Sequence, residues 1–448
     1  MSHPTLPVSH HSRRHFLKTT GTVVGAASVP YFSWTSKTTA QESKSANDRP
    51  LVGCIGNGGM GSGDARAISR YGDIVALCDV DKQRSDKLNG EICEGKAAYF
   101  EDYRSLLDRK DVQLVTISTP DHWHTKIAID ALRAGKDIYC QKPLTLTIDE
   151  GKLLRRTLEE TGRVFQVGTQ QRSSDDFQKA IGLARQNRIG KIQRVTVAIG
   201  GAPSGGPFSV KPIPSNLNWE RWLGQAPMTD YIPERCHGNF RWWYEYSGGK
   251  LTDWGAHHVD IAQWGIGMEN SGPMSIEVVQ AEHPVKFENG FPTVKDSYNT
   301  ATKFKVRALF ANGVEMIIRD DAQDLGFDNG VLFEGEKGRF FVNRGKLTGA
   351  PVDALKDDPL PEEVMTALRK GKARDSHMGN FIACTKDRSP TISDVQTHHR
   401  ILTTCHLANI AMRLGRTLKW DPQTEQIVGD AEANAWQKRE QREGYKIT

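Results

Sequence analysis

The chain has 448 residues, 38% hydrophobic and 25% charged, with 42 Gly, 20 Pro and 7 Cys, which points to two or three domains with sizeable cores and excludes collagen-like, disordered and small disulfide-stapled classes. The formal charge is +5, but Arg13, Arg14, Lys18 and Lys37 supply four of those charges within an acid-free first 40 residues, so the remainder carries +1. A near-neutral body gives no electrostatic footing for nucleic acid.

Ser12-Arg13-Arg14-His15-Phe16-Leu17-Lys18 is a twin-arginine pattern, followed by an uncharged stretch from Thr19 to Ser36 and small residues to Ala40. Residues 1 to 40 resemble a Tat signal peptide, which implies recognition by the Tat export machinery, passage of a folded cargo, and a periplasmic or otherwise exported mature chain. The uncharged stretch is short and diluted by Gly, Ser, Thr and Pro30, and no other segment reaches the roughly 20 apolar residues of a membrane span, so no stable anchor is expected. The seven cysteines form no C-x-x-C, and Cys54, Cys78 and Cys140 sit in apolar strand-like runs, so buried free thiols are expected.

From 41 to 170, apolar runs at Leu51 to Ile55, Ile74 to Cys78, Leu114 to Ser118, Ile138 to Cys140 and Val164 to Val167 alternate with amphipathic helical patterns. This predicts an α/β layer with a doubly wound parallel sheet. Thr147 and Glu150 are spaced as a capping box, so a helix follows Gln141-Lys142-Pro143. Across 171 to 448 the runs lengthen and alternate at Gln193 to Ile199, Ser275 to Val279, Thr302 to Phe310, Val314 to Arg319 and Arg339 to Val342. With turns such as Asn312-Gly313, these predict an α+β domain on a mostly antiparallel open sheet. A last helix, opening at Ser393-x-x-Gln396 and stopping at Gly415, is expected to pack back on the body.

Gly56-Asn57-Gly58-Gly59-Met60-Gly61 lies between a strand and a helical run, the context that a G-x-G-x-x-G dinucleotide loop requires. One glycine permits the tight turn, another the approach of pyrophosphate to a helix N-terminus, and the last close packing of helix on strand. Asp79 ends the next strand, where a carboxylate accepts from both ribose hydroxyls and repels a 2′-phosphate, favouring NAD, although Lys82 and Arg84 leave NADP open. Ser118-Thr119-Pro120-Asp121-His122-Trp123-His124 and Gln141-Lys142-Pro143 follow two further strands and face the same crevice. Lys142 there can polarise a substrate hydroxyl or relay a proton.

These pieces resemble the glucose-fructose oxidoreductase and inositol dehydrogenase (Gfo/Idh/MocA) family. The resemblance implies dinucleotide contacts from Gly56, Asn57, Gly58, Gly59, Met60, Gly61 and Asp79, and a nicotinamide end lined by Thr119, Pro120, His124, Gln141 and Lys142. The family's Glu-Lys-Pro stands here as Gln141-Lys142-Pro143, removing a charge beside the lysine. A second signature, an Asp four residues before a His, is matched by Asp253 and His257. It implies that His257 takes the substrate hydroxyl proton while Asp253 orients the sugar or the imidazole and Lys142 completes the set.

Asp253, His257, His258 and Asp260 also read as metal ligands, but the helical period turns His258 about 100° from His257, so the four do not converge and no metal is expected. Arg172 is read as a hydroxyl or carboxylate clamp on the substrate, and Trp243, just before the signature, as a sugar-stacking face beside a core or interface alternative. His377, His398, His399 and His406 are read as structural.

The expectation is an exported NAD(P)-dependent oxidoreductase acting on a secondary alcohol of a sugar or polyol, its cofactor tightly bound because free NAD is scarce outside the cytoplasm. A rival is a glycoside hydrolase that oxidises a ring hydroxyl, eliminates the aglycone, adds water and returns the hydride. A third is a binding protein without turnover. The resemblance also implies a homo-oligomer through the C-terminal sheet.

Overall fold

The computed structural model describes residues 49–448, and the export signal expected in 1–40 lies outside the described residues. The first layer runs β1 (Leu51–Ile55), α1 (Gly59–Ile68), β2 (Asp73–Cys78), α2 (Lys82–Ile92), β3 (Ala98–Phe100), α3 (Tyr103–Leu107), β4 (Leu114–Ile117), α4 (Asp121–Arg133), β5 (Asp137–Gln141), α5 (Ile148–Thr161) and β6 (Phe165–Gly168). All six strands are parallel in the order β3-β2-β1-β4-β5-β6. That order is a Rossmann sheet, whose switch point falls between β1 and β4 and opens a crevice at their carboxyl ends. β4 and β5 are buried along their whole length, which is why they read as unbroken apolar runs.

Next come α6 (Asp175–Arg185), β7 (Ile192–Ile199), α7 (Trp219–Leu223), α8 (Lys250–Asp253), α9 (Gly255–Gly265) and β8 (Pro273–Glu282), then a small ribbon of β9 (Phe287–Glu288) and β10 (Phe291–Pro292). β11 (Lys303–Phe310), β12 (Glu315–Arg319), β13 (Asn329–Gly335), β14 (Gly338–Asn343) and β15 (Lys346–Thr348) continue the second sheet. Short helices α10 (Ala350–Asp353) and α11 (Glu362–Leu368) lead to α12 (His377–Asp387) and α13 (Val395–Leu414), and β16 (Leu418–Asp421), β17 (Gln426–Ile427) and α14 (Ala431–Ala435) close the chain.

The nine-stranded sheet has the order β15-β14-β13-β7-β12-β11-β8-β16-β17. Its pairs are antiparallel except β7 with β12, so the mostly antiparallel α+β layer is what the chain builds. β11 alternates buried and open positions, the mark of a sheet covered on one face. α13 is buried on nearly every turn and packs against α9, α5 and β8. Its cap is Asp394, which accepts from Thr397 N at 2.8 Å, one residue after the expected Ser393, whose hydroxyl is instead bonded to Thr169. Met378, Phe381 and Ile382 of α12 fill a core with Val52, Leu77 and Tyr139 of the first sheet, so the late helices bind both layers together. All seven cysteines are free and six are buried. Among the described residues no helix is long and apolar enough to cross a membrane.

Candidate active site

A cavity of about 1060 Å³ extends from the glycine loop, past the ends of β4 and β5, to α9. At one end the chain builds a seat for a dinucleotide. Gly56 lies at φ +83°, and a Cβ there would sit 2.6 Å from the Ser118 carbonyl carbon, while a Cβ on Gly61 would sit 1.8 Å from the Gly56 oxygen. Gly59, at the first turn of α1, faces open space. The tight turn, the close packing and open space at Gly59 in the first turn are therefore all present, and the N-terminus of a ten-residue helix attracts an anion.

Asp79 accepts from Asn57 N at 2.7 Å and from Asp81 N at 2.9 Å, fixing its carboxylate at the ribose end. Burial pushes its pKa up, against these bonds. The Asn57 side chain turns inward to Cys78 O and Ser85 Oγ, so it holds the loop and leaves contact with a ligand to its main chain. Met60 stands open at the rim. Arg84 lies over Gly58 and pairs with Asp81 at 3.2 Å. These features fit a nicotinamide dinucleotide.

At the other end, Lys142 Nζ meets Asp253 Oδ1 at 2.7 Å and the Asp253 carbonyl at 2.9 Å, and Arg241 Nε reaches the same Oδ1 at 3.2 Å. Burial opposes the charge on Asp253, but Lys142 and Arg241 outweigh it and bring its pKa down to about 2. Asp253 ends α8 and His257 lies in α9, with the helix broken at Trp254. The carboxylate holds the lysine and makes no hydrogen bond to the imidazole, so of the two roles expected for Asp253, orienting the sugar or the imidazole, the imidazole contact is absent. His257 lines the cavity, and its ring receives no protein hydrogen bond. Nδ1 is sealed from solvent without a partner, which leaves Nε2 as the open nitrogen. Burial first, then Lys142 and Arg344, hold its pKa well below the ordinary histidine value, so the ring is neutral and its lone pair available.

Thr119, Pro120, Gln141 and His124 also line the cavity. Both His124 nitrogens face carbonyls, Thr119 O at 2.8 Å and Pro143 O at 2.7 Å; burial lowers its pKa to about 4, so the neutral ring donates to one of them and is lodged between two loops. Gln141 Nε2 donates to both oxygens of Asp64 at 2.9 and 3.0 Å, and Ser118 Oγ donates to Asp64 at 2.7 Å. Burial raises the Asp64 pKa to about 6 despite these donors. The charge missing at position 141 thus has a counterpart on α1.

Two expected substrate contacts are not made. Arg172 is buried, forked onto Asp260 at 2.7 and 2.8 Å and stacked on Trp264, so its side chain is consumed inside the protein. Trp243 is fully buried, donates to Glu234 O at 2.8 Å and carries Arg235 on its face. His258 bonds Asn329 at 2.9 Å, and among the described residues no three potential ligands converge for a metal. The cavity instead gains Arg344 from the β14–β15 hairpin and Tyr445 from the C-terminal tail. Neither lies in a motif, and Arg344 in a two-residue turn, Arg344-Gly345, carries only a turn signal.

Comparison with known proteins agrees with this geometry. Residues 51–169 match the family description "Oxidoreductase family, NAD-binding Rossmann fold", and 206–447 match "Oxidoreductase family, C-terminal alpha/beta domain". A glycosyl hydrolase family 109 protein of Shewanella pealeana is 29% identical over 201 residues, 40% of this chain and 44% of that protein. The chain thus aligns with less than half the length of such relatives. The inositol 2-dehydrogenase of Rhizobium meliloti is 24% identical over 338 residues, 74% and 87% of the two chains. The WlbA dehydrogenase of Bordetella pertussis, solved with NADH and UDP-GlcNAcA, superposes with a TM-score of 0.59 at 17% identity over 84% of this chain and 98% of that one. With both family domains matched in order across most of its described length, the chain belongs to the Gfo/Idh/MocA oxidoreductase family.

Proposed function

We propose that this protein moves a hydride between a secondary alcohol of a sugar or polyol and a tightly held NAD, and does so after export. The observation that carries the reading is the neutral His257 imidazole, free of protein hydrogen bonds, beside a lysine pinned by Asp253. Gly59 and Asp79 would hold a nicotinamide dinucleotide, which when bound would supply the hydride acceptor. His257 Nε2 takes the proton from the substrate hydroxyl, and Lys142 Nζ, whose position Asp253 fixes, donates to that oxygen. Asp253 remains ionised through this step because two cations hold it so.

The test is a panel of sugars and polyols mixed with the purified enzyme, followed through nicotinamide absorbance. His257→Ala is expected to lower turnover by ~10²–10⁴ with dinucleotide still bound; unchanged turnover overturns the assignment. The family 109 relatives favour a second reading, in which the same oxidation opens an elimination and hydrolysis of a glycoside. Aglycone released from aryl glycosides without added NAD selects it, and a keto-sugar that forms only with an acceptor selects the first.

A further inference from the structure

Arg344 occupies the tip of the β14–β15 hairpin and reaches into the cleft beside His257. Its guanidinium stacks on Trp254 at 4.8 Å, and the same indole meets the His257 ring edge to face at 6.0 Å and the His258 ring at 5.3 Å. With the Gln171 amide turned so that its nitrogen donates to the His257 carbonyl at 3.1 Å, its oxygen accepts from Arg344 Nε at 3.2 Å. One side of the guanidinium is thus held in place. Among the described residues, neither terminal nitrogen meets an acceptor and no carboxylate lies within 4.0 Å of the group.

The surrounding charges point the same way. Lys142, Arg241 and Arg344 face this end of the cleft, while Lys142 and Arg241 share the single carboxylate of Asp253. The other acid here, Asp121, is buried and bonded by Ser247 Oγ at 2.6 Å. Burial raises its pKa to about 7, so it is only partly ionised near neutral pH. Three cations facing one ionised and one partly ionised carboxylate leave this end of the cleft net positive, which concentrates an anion.

We propose that Arg344 is a specificity-determining residue that reads a carboxylate on the substrate, so that the sugar oxidised here is an acidic sugar of the uronic type. This rests on the oxidoreductase reading above. With Nε committed to Gln171, the two terminal nitrogens form one planar fork, which matches the two oxygens of a carboxylate. The oxidised hydroxyl then sits at His257 and the carboxylate at the Arg344 fork, both on the wall of one cavity.

The experiment compares matched methyl glycosides of glucose and glucuronate, and of galactose and galacturonate, on the intact enzyme and on Arg344→Gln and Arg344→Lys. The expected result is kcat/KM at least ~10-fold higher for the uronates, with that preference falling ~10- to 100-fold in Arg344→Gln, chiefly through KM. Arg344→Lys recovers part of it, and the uronate KM rises with salt. Equal or better use of neutral sugars, or an equal loss on both classes in Arg344→Gln, overturns the proposal. A sulfated sugar that outperforms the uronate with the same Arg344 dependence overturns the carboxylate assignment. If no sugar of either charge reduces the nicotinamide, the oxidoreductase reading fails by itself. Calorimetric binding of methyl glucuronide then decides: weaker binding to Arg344→Gln supports the proposal, and equal binding refutes it.

Discussion

Gln141 and Asp64 show how a single substitution in a motif moves a charge to another element. A carboxylate in place of the Gln141 amide would face Asp64 at about the present 2.9 Å, and two buried carboxylates that close do not both ionise. Gln141→Glu is therefore expected to lower stability by ~1–3 kcal/mol. Asp64 alone has a folded pKa raised to about 6 from 3.8, so its contribution favours the folded state at low pH and declines as pH rises from 3.8 through about 6. The loss in Gln141→Glu should be larger above pH 6 than below it, and Asp64→Asn added to it should restore most of the stability. Urea unfolding at several pH values measures both, and a pH-independent loss would contradict the pairing. Asp253 has the opposite sign: with its pKa at about 2, its stabilisation is present above 3.8 and is lost as pH falls through about 2.

Elements decide which residues of a motif reach the site. Gly56, Asp79 and Lys142 are legible from sequence because each directly follows a strand, and a strand end in a parallel sheet opens on the crevice; Gly61 is legible by its fixed spacing from Gly56. Arg172 and Trp243 lie just as near to motifs, but sequence distance does not give side-chain direction. Arg172 follows β6 in a short turn that aims it at Asp260 of α9, and Trp243 closes an aromatic cluster with Tyr298 and Tyr246. β3 was missed because three residues with no buried position give no apolar run, and the α13 cap was displaced because both Ser393 and Asp394 are capping types. Arg172→Met should cost ~3–5 kcal/mol, since Asp260 is left buried and unpaired, and the folded fraction should keep its substrate KM. A KM that rises with stability intact would return Arg172 to the substrate.

At the scale of the whole molecule, the cleft is closed by parts far apart in sequence, which is why Arg344 and Tyr445 were not legible beforehand. The C-terminal tail crosses from α7 to α4. Arg442 donates to the carbonyls of Gly224 and Glu220, each at 2.8 Å, Tyr445 Oη donates to Glu220 at 2.6 Å, and the Tyr445 ring stands edge-on to Trp123 at 5.7 Å. Replacing both Arg442 and Tyr445 by Ala should speed dinucleotide release at least several-fold, read by stopped-flow exchange. An unchanged rate would show that the tail does not retain the cofactor. The open face of the nine-stranded sheet carries Val279 and Leu309 exposed beside the Glu277, Arg307, Glu315 and Arg194 ladder. We propose that this face would be the surface through which two copies of the chain associate. Light scattering should give an oligomer that Leu309→Glu shifts toward monomer, and a monomeric parent chain would refute it.

The central claim is that this chain holds a nicotinamide dinucleotide in place and cycles it against a sugar hydroxyl. Its most direct test is to purify the chain without added cofactor, denature it, and identify and count the released dinucleotide by mass spectrometry, with and without prior exposure to sugars. Near-stoichiometric NAD(H) per chain, converted between oxidised and reduced forms by the sugar, is the expected result. A chain that neither carries nor takes up dinucleotide, or whose dinucleotide no sugar alters, would contradict it.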